Sequence, residues 1–160
     1  MKPLLLSALL ALTLPTWAQT SVKVEDAWVR GTVAQQKATG AFMRLTASQA
    51  ARLVSAESPA AGVVEIHEMA MDKDVMKMRA VPGLDLAAGR TIELKPGSHH
   101  MMLLDLKQAV KAGDTVAITL VFEDAAKQRF TQTVQAPVKA LAAKQGHEPA
   151  AHGQGHGHKH

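Results

Sequence analysis

The chain has 160 residues, a formal net charge of +4 and no cysteine. Without a thiol there is no disulfide framework, no thiol–disulfide chemistry and no blue-copper site, whose metal needs a thiolate. Positive charge is interleaved with acids, and the aromatics are two Trp and three Phe with no Tyr. No basic stripe with stacking platforms exists for nucleic acid.

The first element is an export signal. Lys2 precedes an apolar run over residues 4–14, interrupted only by Ser7 and Thr13, and Pro15-Thr16-Trp17-Ala18 follows. This is the layout of a secretory signal peptide spanning residues 1–18, cleaved after Ala18. The run falls short of the roughly 20 apolar residues that span a bilayer. No later segment is longer, so the expected product is exported, periplasmic and free of membrane insertion after cleavage.

Residues 19–137 then supply one domain with enough chain for a core of its own. Scarce aromatics mean that this core is mainly aliphatic. Period-2 alternation predicts strands over residues 22–30, 41–46, 52–55, 63–69, 75–81, 91–94, 99–106, 115–122 and 130–134. Pro82-Gly83, Ala88-Gly89, Pro96-Gly97 and Gly113-Asp114 punctuate them as turns. Many short strands at such spacing predict an all-β sandwich or barrel. Residues 47–53 and 104–112 have room for a helical turn or two. Residues 138–160 read as a flexible tail, with some helix propensity over 139–144 and no large apolar residue over 145–160.

Histidine and methionine carry the chemical signal. Three of the eight His lie in the domain (His67, His99, His100) and five in the tail (His147, His152, His156, His158, His160). Six of the eight Met (Met69, Met71, Met76, Met78, Met101, Met102) fall in or beside the strands that hold the domain histidines. Thioether with imidazole is a soft to intermediate neutral donor set that suits Cu(I) and serves Mg(II) or Ca(II) poorly. Zinc would recruit Cys or carboxylate beside His. His100 and Met102 stand two apart and leave one face of a strand, while His67 and Met78 sit on strands joined by a short connection. Those four are the expected Cu(I) ligands. Met69 and Met71 share the parity of His67 and are auxiliary or approach-path candidates. Met43, Met76 and Met101 read as core fillers. His99 points away from His100 on a regular strand, unless a bulge redirects it. The acids Glu25, Asp26, Glu65, Glu68, Asp72 and Asp74 read as solvent-face charges.

The spacing His67-x10-Met78-x21-His100-x-Met102 is similar to the H-x10-M-x21-H-x-M pattern of the PCu(A)C family of periplasmic copper chaperones. Ala27-Trp28-Val29-Arg30, Gly40-Ala41-Phe42-Met43, Val75-Met76-Lys77-Met78-Arg79 and Leu94-Lys95-Pro96-Gly97 also resemble landmarks of that family. The likeness covers residues 22–134. Ser98-His99 departs from it, since many members carry Gly and an aromatic residue there. The resemblance implies a cupredoxin-like β-sandwich holding Cu(I) near its surface. It also implies delivery to the Cu(A) centre of cytochrome c oxidase subunit II, at times beside a Sco-type protein. A monomeric carrier without catalysis is the expectation. The alternative is a copper buffer or resistance protein with no dedicated client. The closely spaced tail imidazoles favour Cu(II), Ni(II) or Zn(II), and a second, Cu(II)-capturing site is expected there.

Overall fold

The structure is a computed structural model that describes residues 19–140. The expected signal peptide and all five tail histidines lie outside the described residues. Ten strands make up the domain: β1 (Val22–Arg30), β2 (Ala38–Ala47), β3 (Ala51–Glu57), β4 (Val63–Asp72), β5 (Val75–Val81), β6 (Leu84–Leu86), β7 (Thr91–Leu94), β8 (His100–Leu104), β9 (Thr115–Asp124) and β10 (Arg129–Lys139). No helix occurs among the described residues. The helical turns expected over 47–53 and 104–112 are instead a bend running into β3 and an irregular loop. Alternation wins in the first, where Leu53 enters the core from β3. The second contains Asp105 at φ 51°, a value that stops a right-handed helix.

The strands form one hydrogen-bonded path, β5-β4-β8-β2-β1-β10-β9-β3-β6, with β7 also paired to β2. The path doubles back at the parallel β1–β10 step, where Val29 lies beside Val138 and Arg30 beside Lys139. Its two halves therefore share one aliphatic core, the cupredoxin-like sandwich. Met43, Leu45, Leu94, Met101 and Leu103 enter from the first half; Leu53, Ile118, Leu120 and Phe122 enter from the second. Each fully buried side chain of this kind contributes about 1.5–3 kcal/mol relative to leaving it in water. β10 continues past the expected boundary at residue 137, because Val138 is buried and its amide bonds to the Asp114 carbonyl. The three-residue strand β6 is too short to show alternation, yet it sends Leu84 and Leu86 inward.

Two local devices set the outward face of the first half. In β1, Asp26 takes a positive φ of 53° and the register with β2 shifts between Glu25 and Trp28. This bulge adds one residue, so Val22, Val24 and Val29 face the core while Trp28 turns outward against Phe42. Between β4 and β5, Lys73 and Asp74 both have positive φ (49° and 65°), the conformation of a type I′ hairpin turn. That two-residue turn fixes the register of the whole hairpin from Asp72–Val75 to Ile66–Val81.

Candidate metal centre

Three strands bring the expected ligands together. β4 pairs with β8 so that His67 lies directly beside His100, and Glu65 beside Met102. β5 pairs with β4 on its other side and places Met78 opposite Met69. Ile66, Met101 and Leu103 occupy the intervening positions and are buried in the core. By period-2 alternation, His67, His100, Met102 and Met78 all project from the opposite, outward face.

His100 is buried, 6% exposed as a residue. Residues 95–98 form a turn with Pro96 at its second position and Gly97 at φ 82°, closed by the Ser98 amide bonding to the Lys95 carbonyl at 3.1 Å. The positive φ is the reason Gly stands at the third position of such a type II turn. The turn holds the Ser98 carbonyl 2.9 Å from His100 Nδ1. A carbonyl only accepts, so Nδ1 carries the ring proton and Nε2 presents a lone pair. That lone pair faces the Met78 sulfur at 3.1 Å. Thioether sulfur also offers only lone pairs. Two acceptors so close, with no proton between them, are the arrangement that a cation relieves.

His67 is fixed in the other tautomer. Its Nε2 lies 2.7 Å from a carboxylate oxygen of Glu65, so Nε2–H donates. Its Nδ1 is buried and has no hydrogen-bond partner. A buried nitrogen left so costs about 1–3 kcal/mol, unless a ligand takes its lone pair. The two imidazole centroids are 5.9 Å apart. A cavity of about 300 Å³ opens in front of His100, Met78 and Met102, walled by Phe42, Gly40 and Arg30. Phe42 packs in a tilted pair with Trp28, ring centroids 4.4 Å apart, and its ring lies 6.3 Å from that of His100, which gives the centre an apolar, aromatic side.

The donor set is selective by composition. Among the described residues no group of three or more His, Cys, Asp or Glu side chains is placed to hold a metal ion. The donors that do converge, imidazole with thioether, serve Zn(II), Mg(II) and Ca(II) poorly and suit a soft monovalent cation.

The other expected residues fall as follows. Met69 lies across from Met78, next to the centre. His99 precedes β8 on the reverse side of the sheet, 3.4 Å from Glu68, which Arg79 also engages. A bulge that would redirect it is absent from the β4–β8 register. Met43 and Met101 are core side chains, whereas Met76 is half-exposed and fills no core space. Of the acids read as solvent charges, Glu25, Asp26 and Asp72 sit in exposed ion pairs, whereas Glu68 engages Arg79 and His99 and Glu65 accepts from His67. Glu65 is the neighbour of the candidate site that sequence reading passed over, although its i−2 spacing from His67 already put the two on one face. Phe42 was also passed over as a wall of the centre, as was Trp28 packed against it, although the apolar phase of β1 shifts from Val22 and Val24 to Ala27 and Val29 across the bulge.

Comparison with known proteins agrees with this architecture. Residues 22–138 match a family model described as "Putative lipoprotein LpqE-like". The chain is 35% identical to "Putative lipoprotein Lxx21020" of Leifsonia xyli subsp. xyli, over 81% of this chain and 80% of that protein. Among solved structures, the solution structure of Cu(I)-DR1885 from Deinococcus radiodurans is 33% identical, with a TM-score of 0.55, covering 72% of this chain and 76% of that one. The apo PCuAC domain from PmoF1 superposes with a TM-score of 0.61 at 24% identity, over 75% of this chain and 94% of that one.

Proposed function

The chain belongs to the LpqE-like family and has the PCuAC fold, and from that premise we propose that it is an exported copper carrier holding Cu(I) through His67, Met78, His100 and Met102. One observation carries the reading: His100 Nε2 and Met78 Sδ face each other at 3.1 Å with the ring proton already committed to Ser98. The orphaned Nδ1 of His67 supports it. So does the solved relative that bears Cu(I) at 33% identity.

The physics favours transfer over catalysis. All four donors are neutral, so ligand exchange displaces no proton from a thioether and separates no charge from it. Met78 sits half-exposed on the edge strand β5, where an incoming ligand can replace it first. In this reading Cu(I) passes to the Cu(A) centre of cytochrome c oxidase subunit II, directly or beside a Sco-type protein, from a periplasmic carrier freed of residues 1–18. The His-rich tail captures Cu(II) separately.

The test is an anaerobic Cu(I) competition titration of the full chain and of His67→Ala, Met78→Ala, His100→Ala and Met102→Ala. Each substitution should weaken Cu(I) by tenfold or more, about 1.4 kcal/mol. Unchanged affinity in all four overturns the site. Delivery is tested by deleting the gene: oxidase activity lost and restored by added copper fits a chaperone. Copper sensitivity with normal oxidase replaces delivery with buffering.

A further inference from the structure

The β4–β5 hairpin carries more thioether than the centre uses. The turn at Lys73-Asp74 sets Met71 directly opposite Met76 and Met69 directly opposite Met78. All four therefore share one face, with His67 next in line along β4. Directly opposed residues in an antiparallel pair have Cβ atoms about 4.5–5.5 Å apart, and diagonal ones about 7–8 Å. Met76 thus has Met71 across from it and Met69 on the diagonal. Three rotatable bonds per side chain let the three sulfurs converge.

Packing does not explain these residues. Met71 is 65% exposed and Met76 49%. Met78, Val75, Val33 and Val63 complete the large apolar side chains left exposed among the described residues, so three of the six are methionines on this one face. Its reverse face is of the opposite kind, with Lys77 paired to Asp72 at 2.6 Å and Arg79 to Glu68 at 2.5 Å. Those ion pairs and the turn suffice to define the hairpin. A solvated strand face usually carries Thr, Lys or Glu, and thioethers there gain nothing from burial. What they add is soft donor capacity on a strand with one edge open.

We propose that Met71 and Met76, completed by Met69, form an outer station for a second Cu(I), one residue pair out from Met78. It rests on the reading of the inner site as a Cu(I) site. A cation that arrives at the exposed tip exchanges thioether for thioether along the ladder, Met71 and Met76 first, then Met69 and Met78, before it meets an imidazole. No proton or electron moves in any of these exchanges. Among the described residues no group of three or more His, Cys, Asp or Glu side chains gathers there, so hard divalent cations find no site.

The experiment uses the full chain with ¹³C-labelled methionine methyls, titrated anaerobically with Cu(I) supplied as its acetonitrile complex. The first equivalent should move the Met78 and Met102 methyls, and further Cu(I) those of Met71, Met76 and Met69. The volume-conserving pair Met71→Leu with Met76→Leu should keep the first set of shifts. It should also weaken the second equivalent at the hairpin by about tenfold or more. The proposal is overturned if Met71 and Met76 stay still in excess Cu(I) while Met78 and Met102 move. It is equally overturned if the leucine variant binds the second equivalent unchanged, or if all five methyls move together with the first. Movement of Met71 and Met76 with Met78 and Met102 unmoved removes the inner site instead and leaves the hairpin as the metal site.

Discussion

Glu65 accepts a hydrogen bond from Nε2 of His67 at 2.7 Å, and this single contact decides which nitrogen of His67 is free. With Nε2–H committed, the free lone pair is on the buried, unpartnered Nδ1. His100 is committed in the opposite sense, through Nδ1 to the Ser98 carbonyl. The two histidines thus leave different nitrogens free, each ring oriented by its own partner, Glu65 or Ser98.

In the proposed Cu(I) site Glu65 is a positioning residue. Glu65→Ala should weaken Cu(I) binding by about tenfold or more, the usual effect of removing the partner of a metal-bound imidazole. Glu65→Gln, which keeps an acceptor, should lose less. Competition titration of the two variants reads the difference, and equal losses would contradict a role through hydrogen bonding.

Gly40 sits beside Met102 across the β2–β8 pairing, and a Cβ there would lie 2.7 Å from Cζ of Phe42. Gly40→Ala should push the ring aside and loosen its packing on Trp28. A cost of about 1–3 kcal/mol is expected, as for other overpacked sites. The denaturant midpoint and the tryptophan emission should both change.

Stability and metal binding should separate in the other half of the sandwich. Phe122 is fully buried and stacked on Phe130 at 5.3 Å. Phe122→Ala should cost about 3–5 kcal/mol in thermal or denaturant unfolding. Cu(I) affinity of the folded variant should be unchanged, because β9 contributes no residue to the centre.

Glu123 is held below the ordinary carboxylate range chiefly by its hydrogen bond from Lys127, with that ammonium's charge and Arg129 adding to the effect. A depressed folded-state value means a contribution to stability that is present above the unfolded-state value and lost as pH falls through the folded one. Glu123→Gln should therefore be slightly less stable than the parent near neutral pH. Urea midpoints of the two proteins should converge once the pH is below the folded-state value of Glu123.

Removal of residues 145–160 should abolish Cu(II) uptake and leave Cu(I) affinity unaltered, since His147, His152, His156, His158 and His160 are hard enough for Cu(II) and the domain donors are soft. Equilibrium dialysis with each oxidation state checks this. Cu(II) binding that survives the deletion would place that site in the domain.

Alternation alone was enough to find nine of the ten strands, because burial of one face imposes a period of two on any strand that lies on a core. Composition also chose the chemistry: with no thiol and with six methionines clustered beside three histidines, only soft, neutral coordination is well served. Spacing placed His100 and Met102 on one face, since residues two apart on a strand cannot do otherwise. What lay beyond the sequence were the relationships between strands distant in the chain. β8 pairs with β4 across more than thirty residues, and that register alone sets His67 beside His100 and Glu65 beside Met102. Whether a methionine is core or surface was equally undecided: Met101 and Met76 share a residue type and a strand context, yet one faces the second half of the sandwich and the other faces water. Period two says which side chains share a face. Only long-range packing says what that face meets.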